Sequence, residues 1–172
     1  MAQFVHISDA KNARSIRRNG LRLSRAHGMV ETAFTKAGIF ALPVIENFLI
    51  SHQWVRELKR RGFREAVGVY CTIPDSEIVW AGRYNAAKQQ MTAVQAAGLL
   101  RQTQMLGFET IIPRSVPPCE IRYVRAIPQI LGWRYFPEAK GRPPYCGCSY
   151  CQRGNIKSRG LQERLTRGGA AR

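Results

Sequence analysis

The chain has 172 residues, 45% of them hydrophobic, which suits one domain with a core of its own. Lys and Arg number 27 against 11 Asp and Glu, a formal charge of +16, a field that attracts polyanions, nucleic acid before an anionic membrane surface or protein. No run of about 18 apolar residues occurs, which excludes a membrane-spanning helix. The opening "MAQFVHISDAKNARS" has no signal-peptide core, and the cysteines are odd in number (71, 119, 146, 148 and 151). A disulfide framework is therefore not expected, and a reducing cytoplasm is.

Taken in chain order, "FVHIS" reads as a short strand and "SDAKNARSIRRNGL" as a helix capped by Ser8 or Asp9 and stopped at Asn19 and Gly20. Residues 22–36 read as a basic loop. "AGIFALPV" is a strand interrupted by Pro43, and "ENFLISHQWVRELKRRG" is a helix with Leu49, Trp54, Val55 and Leu58 on or near one face and Gly62 as its stop. "EAVGVYCTIP" is a nearly continuous apolar run, as in an interior strand. "DSEIVWAGRYN" predicts a turn and short strand, and "AAKQQMTAVQAAGLLRQTQML" a helix. The strand "GFETIIP", the turn at Pro117 and Pro118 and the strand "EIRYVRAI" follow. After Gln129 the composition shifts to Gly, Pro, Arg and Cys. The domain expected is thus residues 1–130, with 131–172 a basic Cys-rich extension that has little core of its own. Neither G-x-G-x-x-G nor a P-loop occurs, so a Rossmann or Walker nucleotide site is not supported.

Glu109 is the residue that needs explaining. It interrupts the buried pattern of Phe108, Thr110, Ile111 and Ile112. Alternation puts it on the opposite face from Phe108 and Thr110. That face is either a solvated outer surface or a cleft.

Three segments together resemble the ADP-ribosyltransferase superfamily of the His-Tyr-Glu type, nearest to its small stand-alone bacterial and toxin-like members. "VHIS" with its helix ending in "NGL" resembles the first motif. "GIFALPVIENFLISH" resembles the second, and "GFETIIP" the third, in which a Glu stands at a strand start. The resemblance covers most of residues 4–126. It implies an α+β fold with a split, two-sheet β core and flanking helices, with His6 and Glu109 facing one cleft. It implies an enzyme that cleaves the nicotinamide–ribose bond of NAD and transfers ADP-ribose to an acceptor, with Glu109 as the catalytic carboxylate. Cleavage builds positive charge on the sugar, which a fixed anion stabilises. NAD would meet His6 at a ribose hydroxyl, Ser8 beside it, Gly38 and Phe40 in the second motif, and Phe48 near the position of the ring that stacks on nicotinamide. Phe40 and Phe48 both lack the hydroxyl usual there. Phe48 reads equally as a core aromatic, and Tyr70 and Tyr84 are other candidates for the ring. His6 has the plain alternative of a half-buried strand histidine. Arg14, Arg17, Arg18, Arg22 and Arg25 suit a pyrophosphate or, for most of them, a solvated helix face.

Cys146, Cys148 and Cys151 form C-x-C-x2-C, a spacing that suits zinc, with Cys119 the candidate fourth ligand; three free thiols are the alternative. Cys71 reads as core. Arg153, Lys157 and Arg159 in the same tail would suit contact with DNA or RNA. Two other functions stay open, the first on composition and the second on the family resemblance. One is a noncatalytic, zinc-stabilised nucleic-acid-binding protein. The other is an RNA 2'-phosphotransferase-like enzyme, a related branch that lacks the catalytic Glu.

Overall fold

A computed structural model describes residues 1–23, 38–60, 62–84, 86–129 and 131. Strand β1 (Ala2–Asp9) leads into a single 3-10 turn (Ala10–Asn12) and helix α1 (Ala13–Asn19). Of the two candidate caps, Asp9 serves, accepting from Lys11 N at 3.0 Å. Gly20 ends α1 as its position predicts. β2 (Ile39–Pro43) precedes two short helices, α2 (Phe48–Ser51) and α3 (Val55–Arg60), and then come β3 (Ala66–Ile73) and β4 (Ile78–Arg83). β5 (Gln89–Thr92), α4 (Ala93–Thr103), β6 (Phe108–Ile112) and β7 (Ile121–Ala126) complete the order.

Among the described residues all strand pairs are antiparallel, and the order across the sheet is β5-β4-β6-β2-β1-β3-β7. The α+β class is as expected. The two expected sheets are instead the halves of one seven-stranded sheet, joined at a narrow seam. β1 pairs with β3 from Ala2 to Asp9, but with β2 only at Phe4–Pro43 and Val5–Leu42.

Residues opposite one another in a ladder share a face. One face carries Phe4, Val69, Cys71, Ala41, Phe108, Thr110, Ile112, Val79 and Ala81, all buried. Removing a side chain the size of Phe108 or Ile112 from water contributes about 1.5–3 kcal/mol. β3 is buried along its whole length, as its unbroken apolar run predicts. Burial pushes the Cys71 thiol up to about 12, so it is core rather than nucleophile. The other face is covered over β1 and β3, where Val55 of α3 packs with Ile7, Ala66 and Ile127. Over β4, β6 and β2 it is only partly covered: Trp80, Gly82, Glu109 and Phe40 are all half-buried there.

Two expected helices take another form. Residues 86–92 do not join α4. Gln89–Thr92 pairs with β4 as a hairpin, Ile78 opposite Thr92 and Ala81 opposite Gln89. The helix begins only after Thr92, whose side chain caps Gln95 N while the Gln95 side chain returns to Thr92 N. The helix expected over 46–62 is interrupted at residues 52–54, where His52, Gln53 and Trp54 turn their side chains to backbone groups.

Among the described residues no helix is long and apolar enough to cross a membrane.

Candidate active site

The start of β6 is held from the turn between α2 and α3. Gln53 is fully buried, and its amide donates to Ile50 O and Met105 O, each at 3.1 Å, while its carbonyl accepts from Gly107 N at 2.6 Å. The Trp54 indole donates to Phe108 O at 2.7 Å. Gly107 itself has φ 76°, a left-handed turn that a side chain would strain, and its carbonyl accepts from Tyr84 N. Glu109 follows directly. Its backbone position is therefore set by four groups at once: Gln53, Trp54, Tyr84 and the Gly107 turn. Sequence reasoning misses the roles of Gln53 and Trp54. Their signal is a polar and an amphipathic residue together on a helix face that reads as apolar.

Glu109 is not a freely solvated strand acid. Its register partner is Gly82 on β4, and Lys88 reaches across from the β4–β5 turn to bring Nζ within 3.0 Å of Glu109 Oε2. Gly82 makes room for that crossing, because a Cβ there would press on Ala87 O and the Lys88 chain. The side chains of Lys88 and Glu109 are only 6% and 12% exposed, so this is a largely desolvated ion pair. Lys88 Nζ also donates to Arg83 O at 2.7 Å and Ala86 O at 3.1 Å, closing the turn. Tyr84 packs edge-on to Trp54, ring centroids 5.3 Å apart, beside the same strand start.

His6 lies at the seam. Beyond the Val5–Leu42 pair, its Nδ1 donates to Phe40 O at 2.7 Å, and Phe40 is opposite Ile111 on β6. Val5, Leu42 and, one residue past the paired register, Glu109 form a row about 10 Å wide at ordinary strand spacing. Counted through this ladder, His6 belongs to the buried face and Glu109 to the partly covered one. By this parity the two are neighbours along the seam, where the pairing of β1 with β2 ends at Val5. The difference in face comes from register, since His6 stands one residue from Val5 and alternation reverses its direction.

The remaining candidates separate. Ser8 is buried, with Oγ accepting from Asn12 Nδ2 at 3.4 Å. Gly38 is buried where a side chain would strike Ile111, a packing reason for glycine there. Phe48, 38% exposed, stacks on His52 with centroids 3.8 Å apart and 25° between planes, so one of its ring faces is already occupied. Tyr84, not Phe48, is the aromatic beside the start of β6. Cys119 is exposed on the turn before β7. Cys146, Cys148, Cys151, Arg153, Lys157 and Arg159 lie outside the described residues, and among the described residues no group of three or more metal-binding side chains occurs.

His52 belongs to a buried chain of hydrogen bonds. Its Nδ1 donates to Phe48 O at 2.8 Å, so Nε2 is the acceptor for Tyr70 OH at 2.6 Å; Arg125 in turn donates to the Tyr70 oxygen at 3.4 Å. Burial holds the His52 imidazole below its ordinary value of 6.5, against the Phe48 carbonyl and with help from the Arg125 charge. Burial lowers His6 likewise, against the Phe40 carbonyl. Both are held toward the neutral form in the folded chain, while the unfolded chain protonates near 6.5. Their contribution is therefore complete above pH 6.5 and is lost as the pH falls from there through the folded values, about 1.4 kcal/mol for each pH unit by which burial lowers them. Urea denaturation should give a lower unfolding free energy at pH 5.5 than at pH 7.5, with a shallower pH dependence in His52→Gln. A pH-independent midpoint across that interval would show that the histidines bind protons in the folded protein as they do in the unfolded chain.

Comparison with protein families, with curated proteins and with solved structures returned no match to this chain.

Proposed function

We propose that the chain is an NAD-dependent ADP-ribosyltransferase of the His-Tyr-Glu-like type whose acceptor is nucleic acid. The observation that carries this reading is the meeting of the three motif segments. Residues 4–8, 38–43 and 107–112 are far apart in sequence, yet they occupy the neighbouring strands β1, β2 and β6, with His6 on Phe40 O and Phe40 opposite Ile111. The parting of β1 from β2 after two residue pairs supports a split core of the kind that family has. The partly covered face bearing Phe40, Trp80 and Glu109 supports a site there, with Tyr84 at its margin for the nicotinamide ring.

In this reading nicotinamide departs with the glycosidic electron pair, the ribose C1' becomes cationic, and an acceptor oxygen or nitrogen attacks it and loses its proton. Glu109 supplies the fixed negative charge opposite that carbon and accepts from the ribose 2'-hydroxyl. Lys88, at its side, supplies a fixed counter-charge that holds the carboxylate in place. The four groups that fix the start of β6 prevent the carboxylate from drifting, which is what preorganised charge requires. The net charge of +16 favours a polyanionic acceptor.

A second reading follows from the Lys88–Glu109 pair. An acid already matched by an ammonium is also what a purely structural pair looks like, and the chain would then be a noncatalytic nucleic-acid-binding protein. NAD decides between them. With NAD labelled on the adenylate and a mixture of DNA and RNA, label should move to the nucleic acid and free nicotinamide should accumulate. Intact NAD after prolonged incubation, with every acceptor, overturns the enzyme reading.

A further inference from the structure

β7 ends the sheet, so one of its edges has no strand partner among the described residues. Its register with β3 shifts: Tyr123 is opposite Tyr70, but Ile121 is opposite Cys71, which leaves Arg122 as an extra residue. Such a bulge re-aims a side chain. Here it turns Arg122 so that Nε donates to Thr72 Oγ1 at 3.0 Å. Thr72 is two residues from Tyr70 and shares its face, so Arg122, Tyr123 and Arg125 gather on one face of an edge strand where plain alternation would separate the first two.

Tyr123 is 42% exposed, and its ring rests on Tyr70 at 4.6 Å between centroids. The Arg125 guanidinium lies 4.7 Å from the Tyr70 ring centre and 5.2 Å from that of Tyr123. The ring is thus backed by a second aromatic and met by the Arg125 cation, with Arg122 adjacent to it in the chain. Arg17 of α1 donates to Val124 O at 2.8 Å, which brings a further exposed guanidinium alongside. Glu120, the carboxylate closest in sequence, is taken by Arg114 at 2.9 Å. Among the described residues no carboxylate pairs with Arg17, Arg122 or Arg125.

We infer that this rim of β7 binds single-stranded nucleic acid, with a base stacked on Tyr123 and the adjoining phosphates held by Arg122, Arg125 and Arg17. A half-exposed, supported ring with guanidiniums nearby suits an unstacked base joined to phosphates. A duplex offers the phosphates but keeps its bases in their own stack, so it gains from the arginines alone. The proposal builds on the nucleic-acid part of the reading above and not on its NAD chemistry.

The test is fluorescence anisotropy of the full chain with labelled single-stranded DNA and RNA 12-mers and a duplex of equal length, repeated over a range of salt. Either single strand should bind more tightly than the duplex. Tyr123→Leu, which keeps apolar cover over Tyr70 but removes the ring, should weaken single-strand binding roughly 10- to 100-fold and leave duplex binding nearly unchanged. Tyr123→Phe should bind as wild type does. Arg122→Gln with Arg125→Gln should reduce the slope of log affinity against log salt by about 1.4 for the single strand. Wild-type affinity in Tyr123→Leu, with melting intact, overturns this surface while nucleic-acid binding itself stands. Failure of the wild-type chain to bind any strand at low salt overturns both.

Discussion

Glu109→Gln is expected to lower NAD cleavage by roughly 10²-fold or more per folded molecule, because one fixed charge at the reacting sugar is lost. The amide keeps the shape of the carboxylate and can still meet a ribose hydroxyl, so NAD affinity should change much less than turnover. The Lys88 contact complicates this substitution, since a neutral amide in place of the carboxylate leaves the ammonium beside it without its counter-charge. Part of any loss in bulk activity would then be loss of folded protein. Nicotinamide release must therefore be measured alongside the folded fraction, from a melting curve on the same sample. A variant that cleaves NAD as fast as wild type, once corrected for that fraction, would leave Glu109 as a structural partner of Lys88 and favour the noncatalytic reading.

Lys88→Met is expected to destabilise the chain by about 3–5 kcal/mol, the cost of leaving one member of a buried ion pair without its partner. The methionine follows the same path over Gly82 but carries no charge beside Glu109 and donates nothing to Arg83 O or Ala86 O. Combining it with Glu109→Gln removes both charges, and the double variant should recover most of the loss; the cycle of four proteins isolates the pair energy. Urea unfolding measures it. A loss of less than about 1 kcal/mol in Lys88→Met would mean that the pair is screened like a surface salt bridge and cannot preorganise a carboxylate.

Much of the framework is legible without coordinates, and the reason is local. The unbroken apolar run of β3 requires an interior strand, and Asp9 and Gly20 bound the first helical stretch because capping acts within one turn. The Phe108–Ile112 alternation separates Glu109 from the buried face before any partner is known. Thr92 and Gln95 also carry a capping-box signal. Weighed above the helix propensity of Ala86, Ala87 and the Gln-rich stretch after them, it starts α4 in the right place.

The rest depends on contacts between residues far apart in the chain. Residues 89–92 read as helix and become a strand because Ile78–Ala81 offers a ladder. The helix read over 46–62 breaks because Gln53 and Trp54 find backbone partners at Met105, Gly107 and Phe108, more than 50 positions away. His6 and Glu109 differ in face through a one-residue offset at a two-pair seam, which no local pattern encodes. The decisive neighbour of Glu109 is Lys88, an ordinary surface residue by composition, and only the crossing of β4 by the turn after it makes that lysine the buried counter-charge. Propensity and alternation act over a few residues, whereas register, burial and ion pairing are set once the sheet has closed.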